Sequence, residues 1–374
     1  MNAKRITALA LALVMTLLLA ACGSKTVVND DGTKTEQTER GVKVTQTVAK
    51  AVQTEKYETA DFSMTIPKGW TVTSGGTNIY HSIRVYDPAE PLNQMFVLLK
   101  ADVLLHSQAG KEAWQQNYNM GDTQAALFAK AAVLDNPSTE GFFKIFSQYT
   151  AFASEVEPAY SGYAFPRFDN FTVTDRYPSA SPMKSSALGD EQLRATFTDN
   201  GKEGEGLFAA SVVDFGSFAI SNGNVVGYQL QAVDGGYYMA YNIVAVTAAK
   251  DTFIEWEGVL TDCFKTLQYS DSFVRTTNQA SNEKVALAQQ ISQNFNATMD
   301  GFMSSWESRN RSQDIMSQKQ SDATLGYERV YDTETGEIYK ATNGFTDVYD
   351  GKRYKAVTDD NMYAEPISGY IEKQ

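Results

Sequence analysis

Strand-like and helix-like hydrophobic patterns alternate along the chain from about residue 55 onward. Phe62, Met64 and Ile66 alternate with polar residues, which is the two-residue period of a strand with one buried face. Apolar residues then recur at helical spacing over 111–153, and alternating runs return between residues 192 and 246. A stripe at a spacing of three and four over 252–267 indicates an amphipathic helix. The pattern therefore predicts strands, a helical block, more strands and a closing helix.

The C-terminal part has a different pattern. A long amphipathic helix is predicted over about 281–321, because apolar residues step by three and four along it. Turn pairs then separate short alternating runs, which predicts a small meander of β-hairpins. The helical stripe consists of Ala288, Ile291, Phe295, Met299, Phe302 and Trp306, and the turn pairs are Thr335-Gly336, Asn343-Gly344 and Asp350-Gly351.

The N-terminal residues 1–21 have the pattern of a targeting segment. Lys4 and Arg5 precede an uncharged apolar run, which is shorter than the ~20 residues of a spanning helix. We therefore interpret 1–21 as an export signal. The sequence L-A-A-C-G at residues 19–23 resembles the lipobox of bacterial lipoproteins. That resemblance implies cleavage before Cys22 and attachment of a diacylglyceryl group to its thiol.

Residues 22–54 are predicted to be a lipidated flexible tether. The stretch 24–50 is rich in Thr, Asp, Glu and Lys and contains no aromatic residue, so it has little apolar surface to bury. A flexible chain of this length spans roughly 30 Å. The predicted tether would therefore hold the folded part just beyond the lipid headgroups.

Charge and cysteine content narrow the partners and the compartment. The formal net charge is −13, and a polyanion repels nucleic acid and anionic headgroups, so nucleic acid is excluded as a partner. The membrane would be held through the lipid at Cys22. Cys263 is then the one remaining cysteine and has no internal disulfide partner. We expect a lipid anchor on the extracytoplasmic face of the cell membrane, and the low cysteine content favours a monoderm bacterium.

Two segments resemble a known family. The sequence F-S-M-T-I-P-K-G-W at residues 62–70 and the predicted helix F-I-E-W-E-G-V-L-T-D-C-F-K-T-L-Q-Y at 253–269 resemble the PsbP/Mog1-like fold over about residues 56–273. The resemblance implies an antiparallel sheet flanked by helices and an accessory or binding role, and it assigns no functional residues. The predicted fold class is therefore α+β, followed by the long helix and the hairpin meander. The predicted domains are 1–21 (signal peptide), 22–54 (tether), 55–275 (PsbP-like domain) and 282–374 (C-terminal module).

Few residues are candidates for chemistry. His81 shares a strand face with Ile79 and Ile83, which indicates a core histidine, and His106 ends an apolar strand, which indicates a solvated terminus. The chain has two histidines and contains no nucleophile elbow or phosphate-binding loop. The acidic segment 332–337 resembles a calcium loop, but its glycine comes fifth rather than sixth, so we interpret it as a hairpin tip. No metal site, no cofactor and no catalytic residue is predicted.

The function expected from these patterns is a non-enzymatic binding or accessory role toward an unknown protein or cell-wall partner. The alternative is a hydrolase or lyase that acts on cell-wall or dietary glycan through two carboxylates. Two converging carboxylates beside an aromatic platform would favour the enzyme, and a flat exposed aromatic face would favour binding. Aromatic residues of the tail either contact a partner or cover a thin core. The candidate partner-binding residues are Phe295, Phe302, Trp306, Tyr331, Tyr339, Phe345 and Tyr349.

Overall fold

The computed structural model shows two compact units. It describes residues 25–28, 34–37, 42–46, 52–178, 182–189, 191–226, 229–250, 252–281, 319, 322–323, 326–359, 362–363 and 367–373. The first unit, called here the terminal unit, combines residues 1–51 with 307–374. The second, called the central unit, spans residues 52–306.

The elements of both units follow in chain order. The strands are β1 (Lys25–Val28), β2 (Lys34–Gln37), β3 (Val42–Gln46), β4 (Thr54–Glu58), β5 (Phe62–Pro67), β6 (Thr71–Gly75), β7 (Ser82–Tyr86), β8 (Gln94–Leu105), β9 (Ala132–Val133), β10 (Asp169–Pro178), β11 (Glu191–Asp199), β12 (Lys202–Gly216), β13 (Ala219–Val226), β14 (Gln229–Asp234), β15 (Tyr237–Ala249), β16 (Gln268–Tyr269), β17 (Tyr327–Asp332), β18 (Ile338–Thr342), β19 (Tyr354–Ala356) and β20 (Ile367–Lys373). The α-helices are α1 (Gln108–Asn119), α2 (Ala126–Lys130), α3 (Thr139–Lys144), α4 (Phe146–Val156), α5 (Phe253–Lys265), α6 (Asp271–Ser281) and α7 (Phe345–Val348).

The main sheet of the central unit has eight described strands in the order β10-β11-β12-β15-β8-β7-β6, with β9 beside β8. Every neighbouring pair is antiparallel except β8 and β9. The sheet curls into a half-barrel. Two smaller sheets, β16-β5-β4 and β13-β14, complete the strands of this unit within the described ranges.

The long strands of the curled sheet supply two hydrophobic cores, because successive side chains of a strand point to opposite faces. Leu98 and Ile243 belong to the core that contains the phenylalanines of α3 and α4. Val97 and Val244 belong to the core that β5 and α5 cover. The predicted strand at residues 62–66 and the predicted closing helix are confirmed, and their apolar side chains are buried.

The predicted fold class is wrong. Strands account for 45% of the residues and helices for 29%, and the strands form several sheets, one of them curled into a half-barrel. The expectation was a helix-flanked α+β sheet with a long helix. The hydrophobic period locates a strand, but pairing partners and curl depend on contacts between distant segments. The region of the predicted long helix, 282–318, lies outside the described residues.

The terminal unit is built from both ends of the chain. Its described strands have the order β1-β2-β3-β20-β18-β17-β19, in which β18 and β20 are parallel. Val42 and Val44 of β3 are buried in its core together with Val330 and Ile371. Three strands therefore lie within residues 25–46, where the sequence pattern indicates a flexible tether. The predicted hairpin at Thr335-Gly336 is present as the β17–β18 pair.

No helix among the described residues combines the length and the apolar character needed to cross a membrane. The predicted signal peptide, residues 1–21, and the predicted lipidation site, Cys22, lie outside the described residues.

Candidate binding surface

The aromatic residues predicted to contact a partner fall into two groups. Phe295, Phe302 and Trp306 lie outside the described residues. Tyr339 and Phe345 are buried in the core of the terminal unit. Tyr331 is half-buried, and Tyr349 packs on that core with its ring stacked on Phe345 at a centroid distance of 5.3 Å. Tyr339, Phe345 and Tyr349 therefore belong to or cover the small core of the terminal unit, as one of the two interpretations of the tail expects.

The acidic hairpin tip at residues 332–337 is held by an internal ion pair. Asp332 accepts hydrogen bonds from Arg353, with Nη2 at 2.7 Å and Nε at 2.9 Å from Oδ2. Burial by itself raises the pKa of the Asp332 carboxyl, but the hydrogen bonds from Arg353 outweigh it and hold the pKa below its usual range. No group of three or more His, Cys, Asp or Glu within the described part of the chain is placed to hold a metal ion.

His81 is a core histidine, as predicted. Its ring packs among Phe62, Tyr269 and Phe273, with centroid distances of 5.1 to 6.0 Å. Burial lowers the pKa of His81 to about 4, because the charged imidazolium would lose its hydration among these rings. His81 is therefore neutral near pH 7 and packs as an aromatic side chain.

His106 is not the solvated strand end that the sequence indicates. Its side chain is only 8% exposed and lies between two carboxylates: Nδ1 is 2.8 Å from Oδ2 of Asp234, and Nε2 is 3.1 Å from Oδ1 of Asp214. Ser217 donates its hydroxyl to Asp234 at 3.1 Å, and the His106 ring packs on Tyr238. We call His106, Asp214, Ser217 and Asp234 the His106 cluster.

The His106 cluster fixes the last three residues of β12 and the two residues that connect it to β13. We call this segment, residues 214–218, the 214–218 loop. The Gly216 amide donates to Oδ1 of Asp214 at 2.8 Å, and the Gly235 amide donates to the carbonyl of Phe218 at 2.8 Å. Gly216 has φ +123°, a conformation that side chains rarely adopt. A Cβ on Gly236 would lie 2.2 Å from the Gly216 carbonyl oxygen, so the two backbones approach closely. The loop is thereby held in one conformation.

The 214–218 loop carries both ends of an aromatic array. The rings of Phe218 and Trp114 have centroids 6.1 Å apart, and Trp114 and Phe128 are stacked at 4.4 Å. Phe128 and Tyr237 follow at 5.8 Å, and Tyr237 and Phe215 are stacked at 4.6 Å. Phe215 and Phe218 are 51% and 39% exposed, and the three rings between them are half-buried. We call these five residues the aromatic array.

The side chains around the array are fixed as well. The indole nitrogen of Trp114 donates to the carbonyl of Gly235 at 3.1 Å, which orients the ring. Phe215 lies nearly parallel to Tyr237, with an angle of 12° between the ring planes. Because Tyr237 covers one face of Phe215 while half of the Phe215 side chain is exposed, its opposite face is directed to solvent. Leu127 of α2, next to Phe128, is also exposed.

The carboxylates beside the array are arranged to accept hydrogen bonds. Burial by itself raises the pKa of Asp234, but hydrogen bonds from His106, the Gly236 amide and Ser217 outweigh it and lower the pKa below its usual value. Asp234 is therefore ionised at neutral pH and cannot serve as a protonated general acid. The arrangement suits ligand binding better than acid–base catalysis.

A second feature of the central unit is an open groove of about 440 Å³ along strand β10. Three of its charged side chains are paired with one another: Lys144 lies 2.6 Å from Glu140, which also contacts Arg176. Arg176 reaches Glu191 at 2.6 Å. The groove therefore offers little unpaired charge to a ligand. Its lining residues are Glu140, Lys144, Phe171, Thr172, Val173, Thr174, Asp175 and Arg176.

A third feature is a buried ion pair on β8. Lys100 Nζ lies 2.5 Å from Oδ2 of Asp102, and Tyr80 donates its hydroxyl to the same oxygen at 3.2 Å. The Lys100 ammonium also lies over the ring of Tyr241, 5.8 Å from its centroid. Burial, together with the Asp102 charge, raises the pKa of Tyr80 and of Tyr241. All the described groups of this site satisfy one another, which indicates a structural role.

Comparison with known proteins adds no function, because no protein-family model and no curated protein matches the chain. None of the residues predicted to contact a partner belongs to the aromatic array. One local signal points to it: the sequence D-F-G-S-F at residues 214–218 places two phenylalanines around a Gly-Ser pair between two strands. Trp114, Phe128 and Tyr237 come from other elements, so their contacts with the loop follow only from the fold.

Proposed function

We propose that this protein is a lipid-anchored, extracytoplasmic binding protein whose aromatic array contacts a partner in the cell envelope. The observation that carries the proposal is the exposure of Phe215 and Phe218 at the ends of a continuous row of rings. Aromatic side chains are rigid and supply much contact area for little loss of conformational entropy. The His106 cluster holds the loop in place before a partner arrives, which lowers the entropic cost of binding.

The proposed location rests on the N-terminal sequence. The order of basic, apolar and small residues before Cys22 supports export and lipidation, and two acyl chains suffice for stable anchoring. The net charge of −13 opposes direct adsorption to anionic headgroups, so the lipid would provide the attachment. The absence of a possible internal disulfide supports a monoderm host.

The alternative, a glycan hydrolase or lyase, has one observation in its favour: Asp214 and Asp234 converge beside the array. Such enzymes need one carboxyl group with a raised pKa to act as the acid. His106 bridges both carboxylates, and the pKa of Asp234 is lowered. Binding therefore fits this site better than hydrolysis.

The anchoring part of the proposal is tested by metabolic labelling with a fatty-acid probe. The wild-type protein should be labelled and recovered with membranes, and the Cys22→Ser variant should be unlabelled. Equal labelling of both proteins, or recovery of the wild type only from the medium, would refute anchoring at Cys22.

The binding part is tested by retention on isolated cell envelopes of the producing bacterium. The mature chain carrying Cys22→Ser is used, so that retention does not depend on the lipid. Replacing Phe215 and Phe218 together by Ala should lower the retained fraction at least tenfold. Tyr370→Ala is the matched control, because Tyr370 is an exposed aromatic residue of the terminal unit. If the double variant is retained like the wild type, the array does not bind the partner.

A further inference from the structure

We propose that the ligand of the aromatic array is an uncharged glycan chain, whose sugar rings stack on Phe215 and Phe218 and whose hydroxyl groups bind Asp214. This inference rests on the proposed function and specifies the chemistry of the partner. Three observations carry it: the orientation of the Phe215 ring, the oxygen atoms at its edge and the charge around it.

The orientation of Phe215 suits a sugar ring. The axial C–H groups of a pyranose form an apolar face, which packs best on the flat face of an aromatic ring. The ring centroids of Tyr237 and Phe215 are 4.6 Å apart and the two rings are nearly parallel, so Tyr237 covers one face of Phe215. Phe215 therefore presents its other face, rather than its edge, to solvent. Phe218 at the other end of the array gives a second contact point. Phe215 and Phe218 are three residues apart in the chain, at most about 10 Å between their Cα atoms. A chain of at least two sugar units, rather than a monosaccharide, would therefore contact both rings.

The rim of the array supplies the polar contacts that a sugar needs. Asp214 Oδ1 lies 3.1 Å from Nε2 of His106 and accepts a hydrogen bond from the Gly216 amide. Its Oδ2 accepts no hydrogen bond from the described residues, and the side chain is 45% exposed. Sugar hydroxyl groups are donors, and a hydrogen bond to an ionised carboxylate is stronger than one between neutral groups. Asp214 directly precedes Phe215 near the end of β12, where the pairing with β15 is irregular between Asp214 and Gly216. The alternation of side chains in a regular strand is interrupted at such a bulge, so one ligand unit can contact both residues.

The charge of the site selects against anions. The His106 cluster contains two aspartates for one histidine, and neither the cluster nor the aromatic array contains a lysine or an arginine. The chain as a whole carries a net charge of −13. A glycan with carboxylate, sulfate or phosphate groups would meet repulsion without a compensating cation. The electrostatics therefore favour a neutral glycan.

The exposed area is also better matched to a glycan than to a protein. A stable protein interface buries about 800 Å² on each partner around a desolvated centre. In the aromatic array, the exposed rings are the two at the ends, and the central three rings are half-buried. A narrow chain that follows the row of rings needs only these end faces.

The experiment is a calorimetric titration of the mature chain carrying Cys22→Ser with three hexasaccharides. Cellohexaose and chitohexaose are the neutral probes, and hexagalacturonate is the charged probe of similar length. At least one neutral hexasaccharide should bind, and hexagalacturonate should bind at least tenfold more weakly. Phe215→Ala and Phe218→Ala should each weaken binding of the neutral probe at least tenfold, whereas Tyr370→Ala should leave it unchanged.

Asp214→Asn separates the charge of Asp214 from its geometry, because the amide keeps the size of the side chain. The variant should bind the neutral probe several-fold more weakly than the wild type does. The ratio of its affinities for the neutral probe and for hexagalacturonate should also be smaller than that of the wild type. If neither neutral hexasaccharide binds, or if Phe215→Ala binds as well as the wild type, the glycan proposal is refuted. Retention on envelopes that still requires Phe215 and Phe218, and that protease treatment of the envelopes abolishes, would identify a protein partner instead. In that case the proposed function stands and the glycan inference fails.

Discussion

Val44 of strand β3 lies directly opposite Ile371 of strand β20 in an antiparallel pair, and both side chains are buried. The two residues come from opposite ends of the chain. Their contact closes the terminal unit, so neither end can form its core alone. The segment that looks like a tether is therefore tied to the C-terminal strands, and Val42 and Val44 are its apolar anchors.

We expect Ile371→Ala to destabilise the terminal unit by about 2–4 kcal/mol, because it removes a buried branched side chain and leaves a cavity. Hydrogen exchange should show faster exchange in β3 and β18 and unchanged protection in β8 and β15. Tyr370→Ala, at the neighbouring exposed position, is the control and should have a smaller effect. Equal loss of protection in the long central strands would contradict the division into two units.

We expect His106→Ala to lower the free energy of unfolding of the central unit by about 1–2 kcal/mol, because it removes the ring that lies between the carboxylates of Asp214 and Asp234 and leaves these two like charges without it. Because both carboxylates are partly exposed, water screens their repulsion and the cost stays below that of a fully buried pair. Denaturant unfolding at pH 7 measures the change. Lys130→Ala, which breaks the exposed pair with Glu155, is the control and should have a much smaller effect, because exposed ion pairs contribute little to stability.

The lowered pKa of Asp234 gives the same variant a pH signature. A carboxyl group with a lowered folded-state pKa stabilises the protein above its unfolded pKa, and this contribution disappears as the pH falls through the folded value. The wild type should therefore lose stability below about pH 4. The loss should be smaller in His106→Ala, because the hydrogen bond that lowers the pKa of Asp234 is absent. Identical acid unfolding of the two proteins would show that the cluster does not control Asp234.

The buried His81 predicts a loss of stability on mild acidification. Its folded pKa is about 4 and lies below the unfolded value of roughly 6.5, so the unfolded chain binds more protons between these values. Stability should therefore fall as the pH drops below about 6.5, by about 2 kcal/mol between pH 7 and pH 5. Urea unfolding of His81→Phe should show a smaller pH dependence over this interval. A variant with the slope of the wild type would assign the dependence to other groups.

Removing one partner of the Lys100–Asp102 pair should destabilise the protein more than replacing both partners. Lys100→Met leaves the half-buried Asp102 carboxylate without its cation and should cost about 1–3 kcal/mol. The double variant Lys100→Met/Asp102→Asn removes both charges and should recover part of that loss. A double-mutant cycle by denaturant unfolding measures the coupling between the two residues. A double variant less stable than Lys100→Met would contradict the pairing.

Local hydrophobic patterns predicted the elements in which one face is buried and the other is not. Phe62, Met64 and Ile66 form a strand with one buried face, and the stripe from Phe253 forms the closing helix. The aromatic segment 160–171, which is rich in Tyr and Phe, packs into the core: Tyr160, Tyr163, Phe168 and Phe171 are buried. When one face of a strand or helix is buried, apolar residues recur along it every 2 or 3.6 residues. This period can be found in the sequence of the element alone.

His106 shows where such patterns fail. Its partners, Asp214 and Asp234, are 108 and 128 residues away in the chain. The ends of β8, β12 and β14 meet at this point, and no periodic pattern within any one of these segments indicates it. The prediction of a solvated strand end was therefore wrong, and the aromatic array beside it was missed. The same limit made the fold class wrong, because sheet order and curl depend on pairing between distant strands.

The sequence by itself determined the strand at residues 62–66 and the closing helix from Phe253, that the chain is acidic, and that residues 1–22 have the order of a lipoprotein signal. These properties depend on the identity and spacing of neighbouring residues. Only the tertiary structure decided that Val44 pairs with Ile371, and that Trp114, Phe128 and Tyr237 form one row with the 214–218 loop. Such contacts are selected by the combined burial of many side chains and the satisfaction of their hydrogen bonds. That selection acts on the whole chain and leaves no trace in the spacing of any one segment.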